Sequence, residues 1–228
     1  IIILCLLSAT GCGSEPGTVP DQFGQSILPI APPDLSAKTV QTEIKSTVDL
    51  FDSSGALKVY GWARRPLIVY NRALVKADTL RVKEWEHYTF FNEEFAGAVT
   101  ISDIGSLAFG SMELIDIKNK KLLTSPIKIV RPGSIGLPSS AEEQLVFESG
   151  STFVSMQKEG SRRLIRFQFN NENPDEKISG ALTLKGADGE GLAIITPYAE
   201  KDFFFYEYKM PAMTVEGTVN YAGKDYSF

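Results

Sequence analysis

Beyond Cys12 the chain contains no cysteine, and its 228 residues include a single histidine, His87. A body without thiols can build neither a disulfide framework nor a cysteine-based zinc site. One imidazole cannot make a multi-histidine cluster, so any metal would have to rest on carboxylates, and no metal or cofactor is implied. Blocks of one charge are missing as well. The 23 Lys and Arg and 28 Asp and Glu sum to −5 and are not segregated, which argues against nucleic acid as a partner. No capped amphipathic helix of ordinary length is readable. Neither are the short motifs of hydrolases, metalloproteases or phosphate loops: there is no G-x-S-x-G, no H-E-x-x-H, and no Gly-rich loop opening a helix. Apolar residues, in contrast, make up 43% of the chain, which excludes disorder, and the length is enough to bury a sizeable core.

The start of the chain has the order of an export signal. Residues 1–7 are uninterruptedly apolar and too few to span a bilayer. Ser8-Ala9-Thr10-Gly11-Cys12 follows, then the polar stretch Gly13-Ser14-Glu15-Pro16-Gly17. Small residues just before a cysteine resemble the lipobox of bacterial lipoproteins, with Ala9 in place of the more usual leucine. That resemblance implies a signal peptide over residues 1–12, acylation of Cys12, and an exported protein held at a cell-envelope membrane by lipid chains. The alternative is an ordinary signal peptide cut elsewhere. Residues 13–36 carry Pro20, Pro29, Pro32 and Pro33 without a stable period, the composition of an extended tether. The chain opens on Ile1 without an initiator methionine or preceding basic residues, so it reads as a fragment.

From residue 37 to 228 the pattern is that of short strands. Residues 80–91, LRVKEWEHYTFF, alternate faces: Leu80, Val82, Tyr88 and Phe90 on one, Arg81, Lys83, Trp85, His87 and Phe91 on the other. Further β-branched and aromatic runs occupy 95–101, 106–117, 121–130, 152–157, 162–169, 178–184, 192–195, 203–209 and 213–221. Short polar or glycine-bearing turns separate them, such as Lys118-Asn119-Lys120 and Ala222-Gly223-Lys224. This pattern predicts an all-β domain, an antiparallel barrel or sandwich. Residues 131–143, RPGSIGLPSSAEE, cannot continue a ladder and mark either an inter-sheet loop or a domain boundary; the small size of each half favours the loop.

Three blocks carry a family resemblance. Gly61-Trp62-Ala63-Arg64-Arg65-Pro66-Leu67, Tyr70-Asn71-Arg72, and the Lys83-x-Trp85-x-x-Tyr88 run resemble the family known as domain of unknown function 2804. A weaker likeness runs to Met210-Pro211-Ala212 and Val219. The family is distantly similar to lipocalins and carotenoid 1,2-hydratases, which implies a lipocalin-like barrel around an apolar ligand or substrate and carries over no catalytic residue. Its members continue past this point into a Trp- and Arg-rich segment. The fold is therefore expected to be incomplete at its C-terminus, with an open sheet and apolar residues exposed near Phe228.

Trp62, Arg64, Arg65, Lys83, Trp85 and His87 form the candidate ligand-binding set. Aromatic walls with a few cationic donors suit an amphiphile bearing a carboxylate or phosphate. The plainer alternative makes the tryptophans core residues and the arginines their stacking neighbours. His87 titrates near neutrality, yet no nucleophile accompanies it, so catalysis has no assigned residue. The leading expectation is an envelope lipoprotein binding an apolar or amphiphilic small molecule. The alternatives are an isoprenoid hydratase that protonates a double bond from an acidic side chain, and an envelope structural protein without ligand.

Overall fold

A computed structural model describes residues 41–170, 177–198 and 203–228. The signal run, Cys12 and the tether at 13–36 lie outside the described residues. Residues 42–228 form one compact unit, built mainly of antiparallel sheets, with a 3-10 turn at Arg72–Leu74. Among the described residues no helix is long and apolar enough to cross a membrane.

Two sheets make a sandwich. The first runs β4 (Glu84–Phe91), β5 (Phe95–Asp103) and β6 (Ala108–Asp116). Along β6 lie β7 (Lys121–Thr124) and β8 (Ile127–Val130), one after the other. The expected single strand at 121–130 is split by Ser125-Pro126, since proline cannot donate to a ladder. The second sheet has six strands in the order β16-β15-β12-β11-β10-β9. These are β9 (Leu145–Ser149), β10 (Thr152–Glu159), β11 (Arg162–Phe169), β12 (Ile178–Lys185), β15 (Thr214–Tyr221) and β16 (Lys224–Ser227). Both strand orders are linear and neither sheet closes on itself. Of the two predicted architectures the sandwich is realised, and the closed barrel implied by the likeness to lipocalins is not.

Period-two alternation builds the core. Val99 and Ile101 on β5, Met112 and Leu114 on β6, Val154 and Met156 on β10, and Ile165 and Phe167 on β11 are buried together. Where central strands carry glycine, a ring fills the missing volume. Phe90 covers its cross-strand partner Gly97, and Phe167 covers Gly180. Phe147 reaches Gly110 on the opposite sheet. The space a lipocalin leaves for its ligand is thus occupied by side chains.

Residues 131–144 lead from β8 in one sheet to β9 in the other, and Ile135 and Leu137 pack on the core. Gly133 N–H donates to Asp103 Oδ2 at 2.6 Å. The break is therefore an inter-sheet loop. At the C-terminus the β15–β16 hairpin turns at Ala222 and Gly223, both at positive φ, as expected for this turn. The apolar exposure expected there is not present: Tyr226 is buried, and Phe228 sets its ring edge-on to Phe90 at 4.8 Å.

A smaller sheet pairs β2 (Gly61–Ala63) with β13 (Leu192–Pro197) and β13 with β14 (Phe204–Lys209). Beside it, β1 (Val48–Asp49) and β3 (Ile68–Val69) run parallel. These elements enclose a second cluster of Ile44, Leu50, Phe51, Ala63, Ile68, Ala193 and Ile195.

Candidate functional site

Strand β4 is shorter than predicted. Asp78 accepts from Leu80 N–H through its side chain and from Arg81 and Val82 N–H through its carbonyl. Residues 80–82 therefore turn, and the strand begins at Glu84. Lys83 is exposed and outside the strand, so it does not share a strand face with Trp85 and His87.

From Glu84 the alternation holds. Tyr88 and Phe90 belong to the sandwich core, with Glu86 on their side. Trp85, His87, Thr89 and Phe91 take the outer face. There Trp85 stands across from Ser102, then Phe109, then Ile129, and His87 across from Thr100, Ser111 and Ile127. His87 Nδ1 and Thr100 Oγ1 share a hydrogen bond of 2.8 Å, and burial lowers the imidazole below its ordinary pKa. Trp85 is only 9% exposed, and its Nε1 is the buried side-chain polar atom without a hydrogen-bond partner among the described residues. Such a donor is costly to leave unmade, by ~1–3 kcal/mol. Farther along this face Phe91, Leu122, Ile127 and Ile129 remain exposed.

The rest of the candidate set lies on the small sheet. Trp62, half-buried on β2, stands opposite Ile194. The Arg64 guanidinium lies over its ring, 5.3 Å from the centroid, and Arg64 Nε is 3.3 Å from Glu43 Oε1. Arg64 is thus a stacking neighbour with an acidic partner, as the plainer reading has it, and Arg65 is exposed. The fold brings Trp85 and His87 together and leaves Trp62 and Arg64 paired in a different sheet.

Two polar clusters escaped sequence reasoning. On the core side of β4, Tyr88 O–H donates to Glu86 Oε1 at 2.5 Å. Burial raises the Glu86 carboxyl above the ordinary glutamate range, while the Tyr88 hydrogen bond and the Arg163 charge pull it back. Arg163 is buried on β11, donates to the Ala141 carbonyl, and lies 4.0 Å from Glu142. A signal was available, since Glu86 and Arg163 each interrupt an alternating apolar row. In the second cluster Glu84 accepts from Tyr70 O–H and Arg72 Nε, each at 2.7 Å. Burial, then Glu84, pushes the Tyr70 hydroxyl far above its ordinary value.

A shallow concavity of about 250 Å³ lies on the six-stranded sheet between Leu164, Arg166, Thr183 and Glu216. It is smaller than ligand pockets of ~300–1,000 Å³.

The family described as Domain of unknown function (DUF2804) matches residues 41–228. That span extends well beyond the blocks that first suggested it. No curated protein and no solved structure matches the chain.

Proposed function

The chain belongs to that family, whose description names no activity, and we propose that it is an envelope lipoprotein whose β body binds an apolar or amphiphilic small molecule on the outer face of the five-stranded sheet. The observation that carries this reading is the buried indole N–H of Trp85, unpartnered among the described residues, beside His87 on a face that continues into exposed Phe91, Ile127 and Ile129. An acceptor oxygen on a ligand head would satisfy the N–H, and an acyl or isoprenoid chain would cover the aliphatic side chains. A sandwich interior packed with side chains supports a ligand on this outer face instead.

The test uses the Trp62→Phe variant, which leaves Trp85 as the only tryptophan. Titration with a dibrominated C18 fatty acid should quench its emission saturably, and mass spectrometry of protein purified from its host should find a bound amphiphile. Absence of both would overturn the reading and leave an envelope structural protein. Membrane attachment is tested separately: Cys12→Ser should release the protein from membranes in cells, and unchanged retention would defeat the anchor.

A further inference from the structure

The protein is acidic overall, at −5, but residues 117–131, IKNKKLLTSPIKIVR, contain no Asp or Glu. Lys118, Lys120, Lys121, Lys128 and Arg131 are all exposed there. Asp116, just before the stretch, feels the charge of Lys118, but none of the five stands in an ion pair with a described residue, whereas Lys158, Lys185 and Lys209 each do. The same stretch exposes Ile117, Leu122, Ile127 and Ile129 by 41–56%. Register puts Leu122 opposite Ile115, Ile127 opposite Ser111, and Ile129 opposite Phe109, so these three share the outer face of the sheet. Lysines flank them at the turn and along the edge, with stems long enough to keep the ammonium clear of the apolar surface.

We propose that this broken edge, β7 and β8 with the turn before them, docks on an anionic lipid surface. The leucine and isoleucines enter the acyl boundary while the lysines engage headgroup phosphates. Charge complementarity selects this occupant: an apolar protein partner would match the isoleucines but leave the surrounding cations unpaired. Chain length permits it, because residues 13–41 span up to ~100 Å when extended, so a body anchored at Cys12 can reach the bilayer. The inference goes beyond the amphiphile reading, and its test supplies the membrane directly and so stands apart from the anchor.

The full chain, with Cys5→Ser and Cys12→Ser, would carry a bimane label on Leu122→Cys or, as a control, on Val146→Cys. Val146 is exposed on β9, an edge strand of the other sheet. Vesicles of brominated phosphatidylglycerol should quench the label at 122 and spare the one at 146. Brominated phosphatidylcholine should spare both. Each lysine near an anionic surface raises partitioning roughly fivefold, so Lys118→Gln/Lys120→Gln/Lys121→Gln should weaken binding roughly a hundredfold, and high salt should weaken it as well. Equal quenching at both positions, no quenching at 122, or unchanged binding of the triple variant would each overturn the proposal. So would shielding of label 122 by dimerisation without vesicles, which would give the face to a second copy. Ile127 and Ile129 serve both readings, so their probes tell the two apart: the vesicle result turns on label 122 and the lysines, the fatty-acid result on Trp85.

Discussion

The two faces of the five-stranded sheet are built from the same strands by the same alternation, yet they end in opposite conditions. On the inner face Val99, Ile101, Met112 and Leu114 are fully buried, and Phe90 packs into the space over Gly97. On the outer face a buried indole N–H lacks a partner among the described residues, and four large apolar side chains stay exposed. Stability is thus concentrated on one side, and the other keeps an apolar surface open to solvent.

Truncation gives the largest expected effect. Leu114→Ala should destabilise by about 2–5 kcal/mol, through lost burial and the cavity left behind. Ile129→Ala, on the outer face and 56% exposed, should stay within about 0.5 kcal/mol. Urea unfolding of both variants measures the difference, and similar values would erase the distinction between the faces. Next comes overpacking. A Cβ at Gly97 would lie 2.4 Å from Phe90 Cζ and 2.8 Å from the Glu113 carbonyl oxygen. The ring can swing aside but the carbonyl belongs to the ladder, so Gly97→Ala should cost roughly 1–3 kcal/mol. A neutral result would mean that Phe90 does not fill that space.

Much of this architecture was legible in the sequence. The hairpins from β4 to β6 and from β10 to β12 announce themselves by alternation over eight or nine residues, which a solvated face and a core face impose on any long strand. The region before residue 84 was far less readable. Strands of two or three residues have no period to detect, and its turns are held by side chains, as where Asp52 accepts from Ser54 and Ala56 N–H. Its sheet is completed by β13 and β14, more than a hundred residues later, a pairing no local pattern encodes. The site was half legible: β4 presented Trp85 and His87 together, but the turn at Asp78 removed Lys83, and pairing across sheets decided where Trp62 went.

pH separates the faces more finely, because a titratable group on each shifts in the opposite sense. Glu86 on the inner side has its pKa raised above 4.5. From that value upward the folded state holds the proton more tightly than the unfolded chain, so stability falls as pH rises toward the folded pKa. Glu86→Gln should abolish this decline. His87 on the outer side is lowered below 6.5. Below 6.5 the unfolded chain takes up the proton first, so stability falls as pH drops toward the folded pKa. His87→Gln should remove that acid slope, which no other imidazole in the chain can supply. Thermal melts across pH 4 to 8 read both slopes, and slopes that survive in the variants would show that neither group governs them.

At Trp85 the expected change in stability is small for a buried tryptophan, and the reason lies in what its indole lacks. A buried tryptophan truncated to alanine ordinarily costs about 3–5 kcal/mol, because ring area and a satisfied N–H are lost together. Trp85→Phe keeps most of the apolar area and removes a donor that has no acceptor among the described residues. The ring volume lost is destabilising, while deletion of the unsatisfied N–H recovers part of its ~1–3 kcal/mol desolvation cost. The two nearly cancel, so the ligand-free variant should unfold within about 1 kcal/mol of the parent. Amphiphile affinity should respond differently, since the head group loses the donor that waits for it. A weakening of about tenfold, read by calorimetry with the same fatty acid, corresponds to the net worth of one such hydrogen bond, ~0.5–1.5 kcal/mol. If Trp85→Phe instead unfolded the protein as a core truncation does and left fatty-acid affinity unchanged, Trp85 would be structural, and the outer face would lose its claim to the ligand.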